Sequence, residues 1–296
     1  MIKLISIMVL LPLLMLFNSD AFAFEEIDED TTWTDSTVII EDVYLISARL
    51  TIRNCSILGG DSSSYLWVLG AGGVIDIDSS SFEQTENGLC PAILIDSSAN
   101  SWCNIRNTSF TGTPVTNNHH ATCIWLKRPI EFAIDSCTFT NCYRAITFQY
   151  DDTRWQLYDT EDEHDVRGCN FICDNDSTTL GILVDNCGLI NIYNNNFEEI
   201  DFPIGVTSFG YARIAGNYIE HSYDGDEGGP VGIEIYDHSW VNVERNTIIG
   251  FTVGFTDYLY ATGRLVLYRT SIDGYSFRSF ILASSVVNCQ SIFELV

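Results

Sequence analysis

A six-residue pattern returns ten times along this chain and constrains its fold more than any other feature. It consists of an aliphatic residue, two variable positions, a small polar residue, one variable position, then Phe or Ile. The first copy reads Ile52-Arg53-Asn54-Cys55-Ser56-Ile57, and later copies start at Ile77, Ile105, Ile134, Val166, Ile192, Ile214, Val243, Leu267 and Val287. Successive starts lie 20 to 32 residues apart. Repeats of this period mark solenoids, in which each unit buries its apolar side only against its neighbours.

A second beat follows each copy by roughly twelve residues, as in Ala92-Ile93-Leu94-Ile95, Gly181-Ile182-Leu183-Val184 and Gly232-Ile233-Glu234-Ile235. Apolar residues alternate with variable ones there, the period of a half-buried strand. Helical spacing is not sustained anywhere after the N-terminus. The repeat therefore predicts a coil of short strands joined by turns. With about 4.8 Å between stacked strands, ten coils make a rod on the order of 50 Å long.

Aligned copies place Cys55, Ser80, Thr108, Cys137, Cys169, Asn195, Asn217, Asn246, Thr270 and Gln290 in one column. A polar residue between inward apolar ones needs partners, and a stack supplies them: each Asn bonds its counterpart one coil away, for about 1 kcal/mol net per bond. Two positions before the pattern, Leu50, Ile75, Cys103, Phe132, Ile190, Ala212, Val241 and Leu265 are apolar or small, with His164 the exception.

These residues resemble the right-handed parallel β-helix proteins of the pectate-lyase-like superfamily. The column Asn195, Asn217, Asn246 is similar to that family's asparagine ladder, at the turn between its second and third strands. The resemblance implies an all-β, single-stranded right-handed parallel β-helix of about ten coils, with Ile93, Ile124, Ile146, Ile182, Ile204 and Ile233 on the first sheet. Asp30-Thr31-Thr32-Trp33-Thr34 resembles the lead-in of secreted β-helices. The family is functionally mixed, so the fold does not name an activity.

Residues 1–23 read as a secretory signal peptide: Lys3, an apolar stretch from Leu4 to Phe17, and the cleavage pattern Ala21-Phe22-Ala23. The apolar run is short of the roughly 18–20 residues of a membrane span. The expectation is a secreted or cell-surface protein, with a lead-in and cap over 24–46 and one β-helix over 47–296. The net charge of −26 disfavours nucleic acid as a partner, which needs a basic surface. A polysaccharide or cell-surface glycan remains. The pattern Ser291-Ile292-Phe293-Glu294-Leu295-Val296 carries no polar cap, which points to end-to-end self-association or a final partial coil.

Ten cysteines in an exported chain suggest disulfides. Cys137 and Cys169 share the ladder column, where stacked side chains point the same way and reduced thiols are expected. Cys142 and Cys173 follow them in turns, and either redox state fits that pair.

Loops interrupt the repeat at 151–165, at 220–229 and at 116–120. Asp224, Asp226 and Glu227 offer oxygen ligands to calcium without the full spacing of a calcium loop, so a solvated turn is the competing reading. No cofactor other than calcium is implied. On the first sheet, Asp96, Trp125, Lys127, Thr147, Gln149, Asp185, Thr207, Glu234 and Tyr236 are expected to point outward. An aromatic side chain beside polar groups suits a sugar-binding face; the alternative is a Trp covered by a neighbouring loop. Trp125, Lys127, Gln149, Asp185, Tyr236 and His238 are the candidate substrate-binding residues. Asp237-His238 faintly resembles part of a pectate-lyase strand motif, but neither the arginine-bearing motif of those lyases nor the carboxylate set of polygalacturonases is present. No catalytic residue is singled out. The leading expectation is a non-catalytic structural or polysaccharide-binding scaffold. The alternatives are a lyase, hydrolase or epimerase with a divergent site on the first sheet, and an adhesin or assembly component.

Overall fold

The structure, a computed structural model, describes residues 24–60, 64–69, 72–84, 90–95, 101–112, 122–127, 131–149, 164–174, 179–208, 210–222, 230–237, 239–251, 253–259, 264–268, 271–274, 277–279 and 291–294. For 24–25, 237 and everything from 253 onward, the description is of the backbone alone.

Three all-parallel sheets of 11, 11 and 10 strands run through these residues, and each coil contributes one strand to each sheet in turn. One coil runs from Thr122–Leu126 in the first sheet to Glu131–Asp135 in the second and Thr138–Thr140 in the third, then enters the next with Arg144–Gln149. The six isoleucines assigned to the first sheet pair in register and are fully buried. Residues 24–40 form a complete coil: Phe24–Ile27, Thr31–Thr34 and Thr37–Ile40 pair with Asp42–Leu45, Arg49–Arg53 and Ser56–Gly59 of the next one.

The last position of the pattern lines the third sheet. Phe82, Phe110, Phe139, Phe171 and Phe197 stack there with ring centroids 4.5 to 5.0 Å apart. Aromatic contacts of this kind add about 0.5–1.5 kcal/mol each beyond area burial. His164 continues an aromatic column instead of breaking one. It pairs with Phe132, and the two rings lie 4.9 Å apart and 8° from parallel.

The ladder forms as expected. Asn195 donates its side-chain amide to Asn217 Oδ1 (3.0 Å), and Asn217 donates to Asn246 Oδ1 (2.8 Å). The three amides also donate to the carbonyls of Val166, Ile192 and Ile214. Cys137 and Cys169 hold the same station, their thiols directed at the carbonyls of Ile105 and Ile134 at 3.6 and 3.7 Å. The residue before the ladder is in the left-handed region in every described coil: Asp35, Asn54, Ser79, Asn107, Ser136, Gly168, Asn194, Gly216 and Arg245. That conformation costs an ordinary L-residue about 1–2 kcal/mol, which explains why Asp, Asn, Ser and Gly fill it. Arg245, at φ 52°, is the outlier.

The repeat misplaces its tenth copy. Leu267 pairs with Phe293, not Val287, and Ser291–Glu294 is a strand of the second sheet. The backbone pairing restores a separation near the mean repeat, where the six-residue pattern alone had shortened it. Val287 and Gln290 lie outside the described residues.

The nine described cysteines are free thiols. The disulfide considered for Cys142 and Cys173 does not form: both remain thiols, Cys142 directs its thiol at the carbonyls of Phe110 and Thr140, and Cys123 lies beside it with Cys90 on the other side. Cys142 follows the end of a third-sheet strand and Cys123 opens a first-sheet strand, so a corner of the coil brings them together. Burial pushes the Cys187 thiol up to about 12, and contact with Cys137 together with burial raises Cys169. These thiols are structural rather than reactive.

Candidate functional site

The outer face of the first sheet carries two columns. In one, Tyr44, Trp67, Leu94, Trp125 and Thr147 stand side by side in register. The Tyr44 and Trp67 rings lie 5.8 Å apart. Lys127 sets its ammonium 4.4 Å from the centre of the Trp125 ring. The Trp67 indole nitrogen is buried and meets no acceptor among the described residues. Thr147 does point to this face, but it is only 4% exposed. Lateral packing against this column, which alternation along the strand does not register, removes it from the accessible strip.

In the other column, Gln149 donates to Asp185 (3.1 Å), and Thr207 donates to the second oxygen of the same carboxylate (3.0 Å). Tyr236 is next in line, since Val206 pairs with Ile235, and its hydroxyl donates to Glu234. Burial pushes the Glu234 carboxyl above the usual carboxylate range, against the lowering effect of the Tyr236 bond. The structure thus brings Trp125 to Lys127 and Gln149 to Asp185, and places Tyr236 further along the same column. His238, Asp96, Asp224, Asp226 and Glu227 lie outside the described residues. Among the described residues, no group of three His, Cys, Asp or Glu is placed to hold a metal ion, and no helix is long and apolar enough to cross a membrane.

The second sheet presents a different outer face. Its second-position column runs Arg53, Asp78, Arg106, Asp135, Arg167 and Tyr193 in register. Arg53 spans Asp76 and Asp78 at 2.9 Å each, and Arg167 meets Asp135 at 2.9 Å. Such half-exposed pairs contribute about 0–1 kcal/mol each, but like charges opposite one another would oppose a slipped register. Beyond Tyr193 the column drops to Ala215, and an open depression of about 750 Å³ appears, lined by Asp165, Arg167, Asn191, Tyr193, Arg213 and Arg245. The alternation Arg, Asp, Arg, Asp, Arg at the second position was the signal in the sequence for this face; position-by-position reading of one coil does not expose it.

A family model described as right handed beta helix region matches residues 91–272. The chain belongs to the right-handed β-helix family. The coils over 24–90 continue the same three sheets beyond the matched range. Comparison with curated proteins and with solved structures finds no match. A right-handed β-helix presents long flat faces at fixed spacing, and function rests on which side chains those faces carry.

Proposed function

We propose that this right-handed β-helix protein is an extracytoplasmic scaffold that binds polysaccharide along its first sheet without cleaving it. One observation carries the reading: the aromatic rings of Tyr44, Trp67 and Trp125 along one column of this face are followed, in the next three coils, by the hydrogen-bonding groups Gln149, Asp185 and Thr207 of the adjacent column. Sugars stack on aromatic faces and bond through their hydroxyls to fixed polar groups. The apolar stretch and the Ala21-Phe22-Ala23 pattern support export. Asp224, Asp226 and Glu227 enter the proposal as calcium ligands. A glycan array with mature protein, run with and without calcium, tests it. Saturable binding that Trp125→Ala weakens supports the reading, and an array without signal in both conditions overturns it.

The catalytic alternative draws on Glu234, because a carboxyl raised by burial is suited to donate a proton. Its hydrogen bond in this structure is to Tyr236, not to a second carboxylate, whereas glycoside hydrolysis employs two. Unsaturated products or new reducing ends from pectate or alginate, lost in Glu234→Gln, would establish the catalytic reading instead.

A further inference from the structure

The depression on the second sheet has a clear structural origin. Tyr193, Ala215 and Glu244 follow one another in a single column, so the methyl group of Ala215 leaves a gap between two long side chains. Gly216 follows at φ 64°, where a Cβ would fall 2.6 Å from Asn194 Oδ1, and the floor therefore stays bare backbone. The wall toward the N-terminus is closed by its own hydrogen bonds and sets one guanidinium, Arg167, against two carboxylates, Asp135 and Asp165. Arg167 bonds Asp135 and the Tyr193 hydroxyl, Tyr193 donates to Asp165, and Asn191 donates to the other Asp165 oxygen. The opposite wall is not closed. Arg213 and Arg245 share one carboxylate, Glu244, at 3.6 and 3.8 Å, and Asn242 also bonds that carboxylate at 2.7 Å. The two guanidinium side chains are 53% and 63% exposed.

Arg245 supplies a second, independent observation. Its backbone is left-handed at a station where the eight other described coils carry Asp, Asn, Ser or Gly. A strained residue that local preference does not explain points to a role for its side chain. That side chain borders the depression.

We propose that this depression is a binding site for a small sugar acid, with Arg213 and Arg245 clamping its carboxylate and Tyr193 and Asn191 facing its hydroxylated body. On this wall two guanidiniums against one carboxylate leave one positive charge, which matches one ligand carboxylate set against Arg213 and Arg245 and away from Asp165. Guanidinium forks bind carboxylates in pairs of hydrogen bonds. The volume is that of a small-molecule site. A chain with net charge −26 repels a polyanion over a long contact, so the ligand is a free acid rather than a segment of polyuronate. This site is separate from the first-sheet face and stands or falls without it.

Isothermal titration of the mature protein with glucuronate, glucose, acetate and polygalacturonate tests the proposal. Glucuronate should bind at least about tenfold tighter than glucose or acetate, and than polygalacturonate per uronate unit. Arg213→Gln and Arg245→Asn should each weaken glucuronate binding about tenfold, while Arg53→Gln leaves it unchanged. Asn suits the left-handed station, so Arg245→Asn should melt no lower than the parent, which separates ligation from folding. Equal affinity for glucose, tighter binding of polygalacturonate that Arg213→Gln abolishes, no heat with tens of millimolar glucuronate, or a large fall in melting temperature in Arg245→Asn would each overturn the proposal.

Discussion

Lys127 holds its ammonium 4.4 Å from the centre of the Trp125 ring, so the first-sheet strand Thr122–Leu126 presents a cation stacked on an aromatic face rather than two neighbouring groups. The contact is intramolecular, and at a half-exposed site it contributes about 0.5–1 kcal/mol. A neutral glycan would compete with Lys127 for the ring, while an acidic one would meet the ring and the charge together. Lys127→Gln should therefore leave neutral-glycan affinity unchanged or improved and weaken binding only to uronate-containing chains. Trp125→Ala should weaken both by about 1–3 kcal/mol with little change in melting temperature. Unfolding of Trp125→Ala with retained binding would make Trp125 a packing residue instead.

Removal of one ladder amide strands its neighbours. Asn217 accepts from both the backbone and the side chain of Asn195 and donates to Asn246. Asn217→Leu is expected to cost roughly 1–3 kcal/mol through the unsatisfied groups. The exposed change Glu131→Gln should stay within about 0.5 kcal/mol. Chemical denaturation of the two variants measures the difference, and equal midpoints would contradict the ladder's energetic role.

The cysteine stations should accept ladder residues. Cys169 already aims its thiol at the carbonyl of Ile134, and its backbone amide donates to Asn195 Oδ1. Cys169→Asn extends the amide column by one coil, and we expect it to match or exceed the parent's stability by up to about 1 kcal/mol. A loss above about 2 kcal/mol in a denaturation curve would show that the space around Cys137 and Cys169 cannot take the larger side chain.

Glu234 gives the fold a pH dependence of definite sign. Its folded-state carboxyl is raised by burial. A raised group contributes stability that is fully present below its unfolded value, near 4.3, and is lost as pH rises through the folded value. Glu234→Gln should flatten the melting-temperature profile above about pH 4.3 and gain most, relative to the parent, at neutral pH. A larger deficit at pH 7 than at pH 4 would show that the Tyr236 bond to the ionised carboxylate outweighs its burial.

Relations along a column were legible before any coordinates. One repeat period moves the chain one strand spacing along the rod, so the ladder, the first-sheet isoleucines and the phenylalanine stack follow from the spacing of Ile52, Ile77 and their successors. The charge column from Arg53 to Arg167 was equally present at the second position, and the left-handed stations at the third. Relations across the coil were not legible in this way. They depend on where each turn bends and how the three sheets meet in cross-section. The contact of Cys123 with Cys142, the burial of Thr147 and the pairing of Phe293 with Leu267 are decided there. The depression beside Arg213 and Arg245 belongs to the same class. Ala215 is unremarkable in its own coil and becomes a cavity floor only because Tyr193 and Glu244 flank it in the coils on either side. Periodicity in the sequence sets distances along the axis of the rod, and side-chain size and turn geometry, which act perpendicular to that axis, are resolved only when the coils are packed.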